Sequence, residues 1–583
     1  MKLVSFGRAG RVDCGALDRG GQACRIFDSH PVLGPMPAHR RLGAILAMTW
    51  DERRALAAWS ATAESVPTDQ VTLLPAVPLC PLYLYNHANT PTLWKRQNPA
   101  LQWQMTRIPY PRIRSFTSLS GSGWRIAVPS SARVNGGAEF GVVIGRAAWR
   151  VPVERAVEHI AGIVCLNDTM TAGTHEGFVD DGSQAARANQ NQGLDTLYKN
   201  ADGNGCMGPW ITTSEELEDL MRQRLAPPAL ERYRKNHLAP WLYNKMMRTR
   251  VDDELLDESH TGGYLYGAEW LIAYLSRFMG LPTGSVIGLG SAGWDGIPLN
   301  LPAGSEATVQ MEVELEDVGT MALSLRRQGP HPSDASPFLD SRAAMGLTPI
   351  PAPSDRPGPA LWVLQGNYPE VQECEGTPVG REMNPLQYPP ASLAEARAPV
   401  VLPPHATTIW CSLQLAGVIG SRPVYRAEAS RALEHVDRIV VMVAFRDASL
   451  GEAIRQPTAY ESRAARFLGR CGDGFHRLGP GAPPGALGDL AGLTMSLSLD
   501  GGPRRTCRTA NYLHRLEEML AMVSRTTTLL PGDVLSLGPA GPELPITPDL
   551  RPASIAVDAS WGASLTLALE DQRNPALPRE ETR

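Results

Sequence analysis

Residues 276–293 read SRFMGLPTGSVIGLGSAG, and residues 524–541 read SRTTTLLPGDVLSLGPAG. Nine of these 18 aligned positions are identical at a constant offset of 248. A second pair of similar segments, FGVVIG at 140–145 and LAGVIG at 415–420, precedes the first pair in each half of the chain, at an offset of 275. Solenoid repeats have periods of only about 20 to 50 residues. The sequence therefore predicts two long homologous modules that arose by duplication.

A proline-rich stretch separates these modules. Residues 328–359 contain PHPSDASPF and TPIPAPSDRPGP, where closely spaced prolines deny the backbone both helix and ladder hydrogen bonds. We predict a linker there, between a first module at 76–327 and a second module at 360–583. Residues 1–75 are predicted to form a small N-terminal cap domain.

Within the modules, short β-branched segments bounded by Gly and Pro, such as 141–144, are typical of strands. Residues 153–163 and 214–225 are the clearest helices of the first module. Thr213 is the expected N-cap of the second of these helices, with Glu216 completing a capping box. The predicted fold class is α+β and β-rich, with antiparallel or mixed sheets.

Composition excludes several classes of protein. A formal net charge of −5 and the lack of a long basic run argue against a nucleic-acid partner. The nine cysteines are scattered and never form C-x-x-C, which argues against a disulfide framework or a zinc ribbon. The start turns polar early, and no apolar run reaches about 18 residues. We expect a cytoplasmic protein with no membrane association.

An ordered set of motifs lies in the first module. Glu139 begins EFGVVIG, Asn167-Asp168 follows a second apolar run, Asp202 comes three residues after Lys199, and GPW ends the set at 208–210. This order and spacing resemble the fumarylacetoacetate hydrolase superfamily. The resemblance extends over most of the chain, and it implies two mixed β-roll modules, the second of which stands in for a second subunit as an internal pseudo-dimer.

The resemblance also implies a chemistry. Glu139 and Asp168 are the expected ligands of a divalent cation, Mg²⁺, Mn²⁺ or Ca²⁺, since carboxylate oxygens suit hard cations. In the family the metal chelates a dicarbonyl or oxo-acid substrate and stabilises enolate charge. Lys199 is expected to hold the same oxyanion. The competing interpretation is that Glu139 and Asp168 only form ion pairs with some of the many arginines.

The sequence departs from the family pattern at the metal site. Gly137 stands where the family has its first ligating Glu, and residues 170–173 replace the family's S-A-R-D. Asn135, His175 and Glu176 are nearby in sequence, so that a substituted ligand stays possible.

The stretch before these motifs is more similar to fumarylacetoacetate hydrolase itself than to its shorter relatives. It reads YLYNHANTPTLWKR and later IPYPRIRSFTSLSGSGW. The resemblance aligns His87 with a catalytic histidine that activates water. It aligns Arg96 and Tyr110 with substrate contacts, and Ser291 with a substrate loop. Asp202 is also expected to contact substrate.

The second module keeps the pattern and loses these side chains. Its metal positions read Ser412, Gln414 and Asp447, and Arg470 stands where the first module has Lys199. We predict that the second module is degenerate and structural.

Three functions remain open from the sequence. The first is an enzyme for C–C bond hydrolysis, decarboxylation or tautomerisation of a small oxo-acid or dicarbonyl compound. The second is a metal-independent cyclase or isomerase, or a pseudoenzyme that only binds a ligand. The third is a scaffold without pocket chemistry.

Overall fold

The structure is a computed structural model of the 583-residue chain. It describes residues 1–8, 10–86, 89–90, 108–129, 132–172, 193–229, 231, 239–291, 297–301, 308–327, 336–344, 347, 356–374, 383–547, 549–550 and 552–573.

The chain divides into two compact units. The first unit comprises residues 1–105, 111–174 and 198–357. The second comprises residues 106–110, 175–197 and 358–583.

The first unit consists mainly of strands. In chain order they are β1 Lys2–Arg8, β2 Arg11–Leu17, β3 Ala23–Ile26, β4 Ser65–Pro67, β5 Thr72–Leu73, β6 Tyr83–Asn86, β7 Pro111–Arg114, β8 Leu119–Ser120, β9 Trp124–Val128, β10 Arg133–Gly136, β11 Ala138–Ile144, β12 Ile160–Asp168, β13 Met170–Ala172, β14 Gly205–Thr213, β15 Met246–Val251, β16 Glu254–His260, β17 Val286–Gly288, β18 Ile297–Leu299, β19 Thr308–Leu315 and β20 Gly319–Arg327.

The strands of the second unit are β21 Leu361–Gln365, β22 Asn384–Tyr388, β23 Leu393–Glu395, β24 Val400–Leu402, β25 Ile409–Ile419, β26 Val436–Asp447, β27 His476–Ala482, β28 Thr494–Leu499, β29 Arg505–Arg508, β30 Val534–Pro539, β31 Leu544–Ile546, β32 Ser554–Ala559 and β33 Ser564–Asp571.

Eleven described α-helices complete the fold. They are α1 Ala38–Ala47, α2 Trp50–Ser60, α3 Gly193–Lys199, α4 Ser214–Arg224, α5 Ala268–Leu275, α6 Pro337–Ala344, α7 Pro369–Cys374, α8 Ser449–Ala453, α9 Ala459–Gly469, α10 Pro484–Leu487 and α11 Leu516–Ser524.

Each unit contains a sheet, and the two sheets have corresponding strand orders. In the first unit the strand order is β7-β6-β17-β11-β12-β14, with β8 beside β14. In the second unit it is β22-β21-β30-β25-β26-β27-β23. Two pairs are parallel in each sheet, β6 with β17 and β8 with β14 in one, and β21 with β30 and β23 with β27 in the other. The fold is thus mixed α+β with a repeated topology.

The second sheet of each unit also matches. The first unit has the order β16-β15-β19-β20-β9, and the second has β29-β28-β32-β33-β24. The last pair is parallel in each, and the others are antiparallel. The central strands β11 and β12 are buried along their whole length, as are most residues of β25 and β26. Such strands read as continuous apolar runs because neither face meets water.

A buried asparagine connects the same elements in both units. Asn89 donates from Nδ2 to the Tyr266 carbonyl at 3.1 Å and accepts from the Tyr266 N–H at 2.9 Å. Asn367 makes the equivalent pair with His514, at 3.1 and 2.8 Å. Each asparagine therefore satisfies both a carbonyl and an N–H of one part-buried residue.

We predict that Asn367→Ala lowers the free energy of unfolding by about 3 kcal/mol. The change removes the two hydrogen bonds to His514 and a third to the Leu537 carbonyl at 3.2 Å. These backbone groups then have one hydrogen-bond partner fewer. Urea unfolding followed by circular dichroism measures the effect. Asn511→Ala is the control, because Asn511 is exposed and bonds only the Tyr368 hydroxyl among the bonds described for it, at 2.9 Å. Equal losses for both variants contradict the prediction.

The helix predictions had mixed outcomes. Helix α4 covers 214–224, which confirms the prediction for 214–225. The predicted helix at 153–163 is wrong: a 3₁₀ helix covers Val153–His159, and β12 begins at Ile160. The predicted capping box is also wrong, because Thr213 makes no cap bond and its hydroxyl bonds Met1 instead, accepting from the amino group at 2.8 Å.

The N-terminal segment extends the large sheet of the first unit. Strand β1 pairs antiparallel with β14, and β2, β3 and β4 follow it outward. Its standing as a separate cap domain at 1–75 stays a prediction. Within the predicted linker 328–359, the described residues include helix α6. None of the helices in the described part of the chain combines the length and apolarity needed to span a bilayer.

Candidate active site

Two buried carboxyl groups lie where β11 and β12 run side by side. Glu139 is the second residue of β11, opposite Leu166, and Asp168 is the last residue of β12. Their exposed fractions are 2% and 7%. The structure therefore brings the two predicted acidic residues to one end of an antiparallel strand pair, in an environment of low dielectric.

Asp168 is bound by two cations. Its Oδ1 accepts from the Arg114 guanidinium, and its Oδ2 accepts from the Lys199 ammonium. Lys199 ends helix α3, and Arg114 ends strand β7. The arginine also donates to the Lys199 carbonyl, so that the two cationic residues are joined directly. The ion pairing that the sequence analysis considered for Asp168 is present, with a lysine and an arginine together.

Arg114 is a site residue that sequence reasoning missed. Its side chain is fully buried, and its guanidinium carbon lies 5.7 Å from the Tyr83 ring centre and 5.0 Å from that of Tyr85. Such cation–π contacts favour a desolvated arginine. The available signal was the strand PRIR, because arginines at alternate positions of a short apolar strand share one face.

Gly205 provides the space for this arginine. A Cβ atom at position 205 would lie 3.0 Å from the Arg114 Cδ and 3.0 Å from the Ser118 Oγ. Both distances are shorter than ordinary van der Waals contact, so a side chain here would require the Arg114 Cδ and the Ser118 hydroxyl to shift.

The pKa values of the two carboxyl groups shift in opposite directions. Burial raises the pKa of Glu139 well above its usual value, and the Asp168 charge raises it further, against the opposing effects of Lys199 and Ser291. Burial also acts to raise the pKa of Asp168, but Lys199 and Arg114 outweigh it and lower that pKa below its usual value. The pKa values of the two carboxyl groups are thus shifted in opposite directions, a separation typical of acid–base sites.

The other predicted site residues are distributed as follows. Ser291 donates to Glu139 Oε1 at 3.0 Å, which places it in the same cluster. Asp202 instead accepts from the Ser336 hydroxyl at 3.3 Å and the Phe338 N–H at 3.4 Å, at the start of helix α6.

Tyr110 belongs to the second unit, where its ring centre lies 5.8 Å from that of Phe467. His87 and Arg96 lie outside the described residues, as do the neighbouring candidates His175 and Glu176.

The described residues do not fit a resident divalent cation in this arrangement. No group of three or more His, Cys, Asp or Glu side chains converges within the described part of the chain. Both oxygens of Asp168 already accept from cationic donors, and Gly137 offers no carboxylate beside Glu139. A hard cation requires several oxygen ligands whose lone pairs are available.

The second unit has different residues at the equivalent positions. The β-bulge at Ile144 is equivalent to that at Ile419. Glu139 and Gln414 each lie five residues before the bulge, so they occupy equivalent positions. The same register places Ala444, rather than Asp447, at the position of Asp168.

The remaining equivalents follow from strand pairing. Arg114 pairs with Tyr83 as Tyr388 pairs with Leu361, so Tyr388 takes the place of Arg114. Gly205 pairs with Leu119 as His476 pairs with Leu393.

His476 fills this region of the second unit. Its ring centre lies 5.1 Å from that of Tyr388, and its Nδ1 lies 3.2 Å from the Ser392 hydroxyl. Burial, together with the charge of Arg470, lowers the pKa of His476 to about 3. The second unit therefore holds a neutral imidazole where the first holds a glycine beside an arginine.

Arg470, at the position of Lys199, has a different anion. It donates to Glu543 Oε1 at 3.1 Å, and Arg446 donates from Nε to Glu543 Oε2 at 2.8 Å. The second unit thus retains a buried cation but not the carboxyl pair of the first.

Comparison with known proteins yields one family. The model of the fumarylacetoacetate (FAA) hydrolase C-terminal region matches residues 83–326 and 361–559, one segment in each predicted module. A maleylpyruvate hydrolase of Aquipseudomonas alcaligenes is 26% identical over 215 residues, which cover 37% of this chain and 58% of the relative. An uncharacterized protein of Staphylococcus aureus (strain USA300) is 23% identical over 183 residues, covering 31% and 49%. The chain thus spans about half the length of these curated relatives.

Solved structures give weaker matches. A maleylpyruvate hydrolase from Sphingobium sp. SYK-6, crystallised with manganese(II) and pyruvate, has 18% identity and a TM-score of 0.41, covering 56% of this chain and 99% of its own. A 5-carboxymethyl-2-hydroxymuconate delta-isomerase from Mycobacterium smegmatis has 20% identity and a TM-score of 0.38, covering 56% and 100%.

Proposed function

The chain belongs to the fumarylacetoacetate hydrolase family, and from this premise we propose that its first module is an enzyme acting on a small oxo-acid or dicarbonyl compound. The reaction class is C–C bond hydrolysis, decarboxylation or tautomerisation, each of which passes through an enolate. The observation that carries the proposal is the buried Lys199–Asp168 pair beside a protonatable Glu139. The similarity to a maleylpyruvate hydrolase supports acylpyruvates as the first substrates to test.

Lys199 is the proposed oxyanion donor. An ammonium carries three N–H groups, and the bond to Asp168 uses one of them. The others are available to an oxygen on which negative charge develops. A fixed donor in a site of low dielectric stabilises that charge far more than water does.

For an acylpyruvate the proposed steps conserve atoms and charge. Water adds to the acyl carbonyl, and the bond between that carbon and the neighbouring methylene breaks. The electron pair passes to the pyruvate fragment as an enolate, whose oxygen faces Lys199. A proton then returns to the methylene carbon, which yields pyruvate and a carboxylic acid.

Two residues are proposed to handle protons. His87, as the sequence indicates, accepts a proton from the attacking water. Glu139 is the proposed proton donor to the enolate, because burial raises its pKa and keeps the acid form populated. Ser291 positions it through their hydrogen bond of 3.0 Å.

The remaining predicted residues are assigned to substrate. Arg96 and Tyr110 are proposed to bind its acidic end. Asp202 is a weaker candidate for substrate contact, because its carboxylate bonds the start of helix α6. A cation such as Mg²⁺, Mn²⁺ or Ca²⁺ would supply Lewis-acid catalysis, but no step is assigned to it because the described residues do not fit one.

A second candidate function is a metal-independent cyclase or isomerase. The double pairing of Asp168 favours it, since a carboxylate held by two cations suits charge stabilisation without a metal. Isomerisation needs the same enolate and the same proton return, without the attack of water.

The second module is proposed to be structural and to complete an internal pseudo-dimer. Gln414, Ala444 and Tyr388 replace the acidic and basic side chains of the first module. The proposed organisation is a cap at 1–75, modules at 76–327 and 360–583, and a linker at 328–359.

The test is turnover of a panel of oxo-acids that includes maleylpyruvate, acetylpyruvate and oxaloacetate. We expect at least one to be consumed, with its enol absorbance falling as pyruvate appears. Asp168→Asn is expected to lower kcat/KM about a hundredfold, because the amide no longer balances Lys199. Asp252→Asn, in an exposed hairpin turn of the same unit, is the matched control. If no compound of the panel is converted, or both variants act like wild type, the proposed function is wrong.

A further inference from the structure

The charge balance of the first module's site is unusual. Asp168 is one anion between two cations, and each of its two carboxylate oxygens accepts a hydrogen bond from one of them. The Arg114 side chain is wholly buried, whereas those of Lys199 and Asp168 retain 11% and 8% exposure. The lysine and the aspartate are thus the members of this triad with solvent-accessible surface.

The triad carries an excess of one positive charge. Asp168 compensates one of its two partners, and among the described contacts Glu139 forms an ion pair with neither cation: its one described side-chain hydrogen bond is accepted from Ser291 at 3.0 Å. An uncompensated charge in a buried site is costly, so such a site favours an anion that enters beside Lys199. A carboxylate or enolate oxygen of the substrate meets this requirement.

We propose that Arg114 takes the electrostatic place of a divalent cation, so that the first module binds an oxo-acid anion through Lys199 without a metal. Arg114 is a positioning residue in this scheme. It occupies Asp168 Oδ1, joins the Lys199 carbonyl and leaves the Lys199 ammonium directed by Asp168 Oδ2. The inference rests on the proposed function only for the substrate class.

The second module supports a specific role for this arginine. Tyr388 and Ala444 occupy the positions of Arg114 and Asp168, so that both members of the pair are absent together. The cation at the Lys199 position is retained as Arg470 and has its own anion in Glu543. The Arg114–Asp168 pair thus accompanies the module that has the site and is not a requirement of the fold.

The probe for this inference is oxalate, a stable dianion with the planar shape of an enolised oxo-acid. Calorimetric titration into chelator-treated protein is expected to show one site in the first module, with a Kd for free oxalate, corrected for the oxalate that the cation itself binds, that changes less than threefold when Mg²⁺ or Mn²⁺ is added. Binding of oxalate that appears only with the added cation overturns the inference. This arm uses the wild-type protein and does not depend on the folding of a variant.

Variants then test the role of Arg114. Arg114→Met is expected to weaken oxalate binding in chelator at least tenfold, and Arg114→Lys to restore it to within about threefold of wild type. Arg250→Met removes an arginine of the same unit that pairs with Glu314 at 3.3 Å, and no effect is expected. Unchanged binding in Arg114→Met, or a failure of Arg114→Lys to rescue it while thermal unfolding is normal, rejects the inference.

The inference and the proposed function fail in different ways. Metal-free oxalate binding without turnover of any oxo-acid rejects the function and leaves the role of Arg114 standing. Turnover and oxalate binding that both require Mn²⁺ support the function and reject the role of Arg114.

Discussion

Replacing Lys199 by methionine is expected to lower kcat/KM for the best oxo-acid substrate about a thousandfold. Methionine keeps an unbranched side chain but has no N–H group for the enolate oxygen, and loss of one such donor costs about 10² to 10³ in rate. The fold should survive, because Asp168 keeps its bond to Arg114. Steady-state kinetics beside a urea unfolding curve separates loss of chemistry from loss of structure.

Two comparisons sharpen this prediction. Lys199→Arg retains the charge and should recover part of the rate. Lys2→Met is the matched control, because Lys2 is a half-buried lysine of the same unit that contacts the Val318 carbonyl at 3.2 Å and the Trp210 ring. A thousandfold loss in the Lys2 variant, or wild-type turnover in Lys199→Met, would show that the catalytic cation lies elsewhere.

Replacing Glu543 by alanine should lower the free energy of unfolding of the second module by about 3 to 5 kcal/mol, the usual cost of breaking a buried ion pair. The change leaves Arg446 and Arg470 without the carboxylate that both contact, with 16% and 4% of their side chains exposed. Differential scanning calorimetry and urea unfolding measure the loss.

The pH dependence of this loss follows from the pKa of Glu543. Burial acts to raise that pKa, but Arg470 and Arg446 outweigh it and hold it below the usual 4.5. A carboxylate with a lowered pKa stabilises the fold above its unfolded-state pKa and loses that effect as pH falls through the folded value. The gap between wild type and Glu543→Ala should therefore be complete at pH 7 and narrow below about pH 4.

Glu434→Ala is the control for this ion pair. Glu434 pairs with Arg431 at 2.9 Å on the surface of the same unit, where both side chains are more than half exposed. Exposed pairs contribute about 0 to 1 kcal/mol. Losses of similar size in the two variants would mean that the buried network does not stabilise the second module.

Much of the architecture was predictable from the sequence, because a duplication leaves the same turn and strand signals twice. The match of 276–293 to 524–541 indicated two modules, and strands β17 and β30 lie at equivalent positions in the two sheets. The prediction failed at 153–163, where apolar residues at helical spacing continue into the buried strand β12. A strand buried on both faces has no alternation to distinguish it from a helix.

The site was predictable where one side chain defines the motif. Glu139, Asp168 and Lys199 were chosen because the order and spacing of their motifs resemble the family pattern, and the structure places Asp168 against Lys199. Arg114 was missed because its role depends on a strand pairing between residues distant in sequence. The alternating arginines of PRIR were the available signal, but they did not stand out in a chain with many arginines. The catalytic and substrate-binding roles of all these residues stay predictions.

The glycine beside Arg114 sets the order in which a second site could be engineered. His476 occupies the Gly205 position in the second module, with its ring centre 5.1 Å from that of Tyr388 at the Arg114 position. A guanidinium introduced at position 388 would contact the imidazole of His476 rather than a carboxylate. The histidine would have to become glycine first, and an aspartate at position 444 would be useful only afterwards. Converting the second module towards the first would therefore depend on the order of substitutions: the His476 side chain must be removed before an arginine at position 388 or an aspartate at position 444 can contribute.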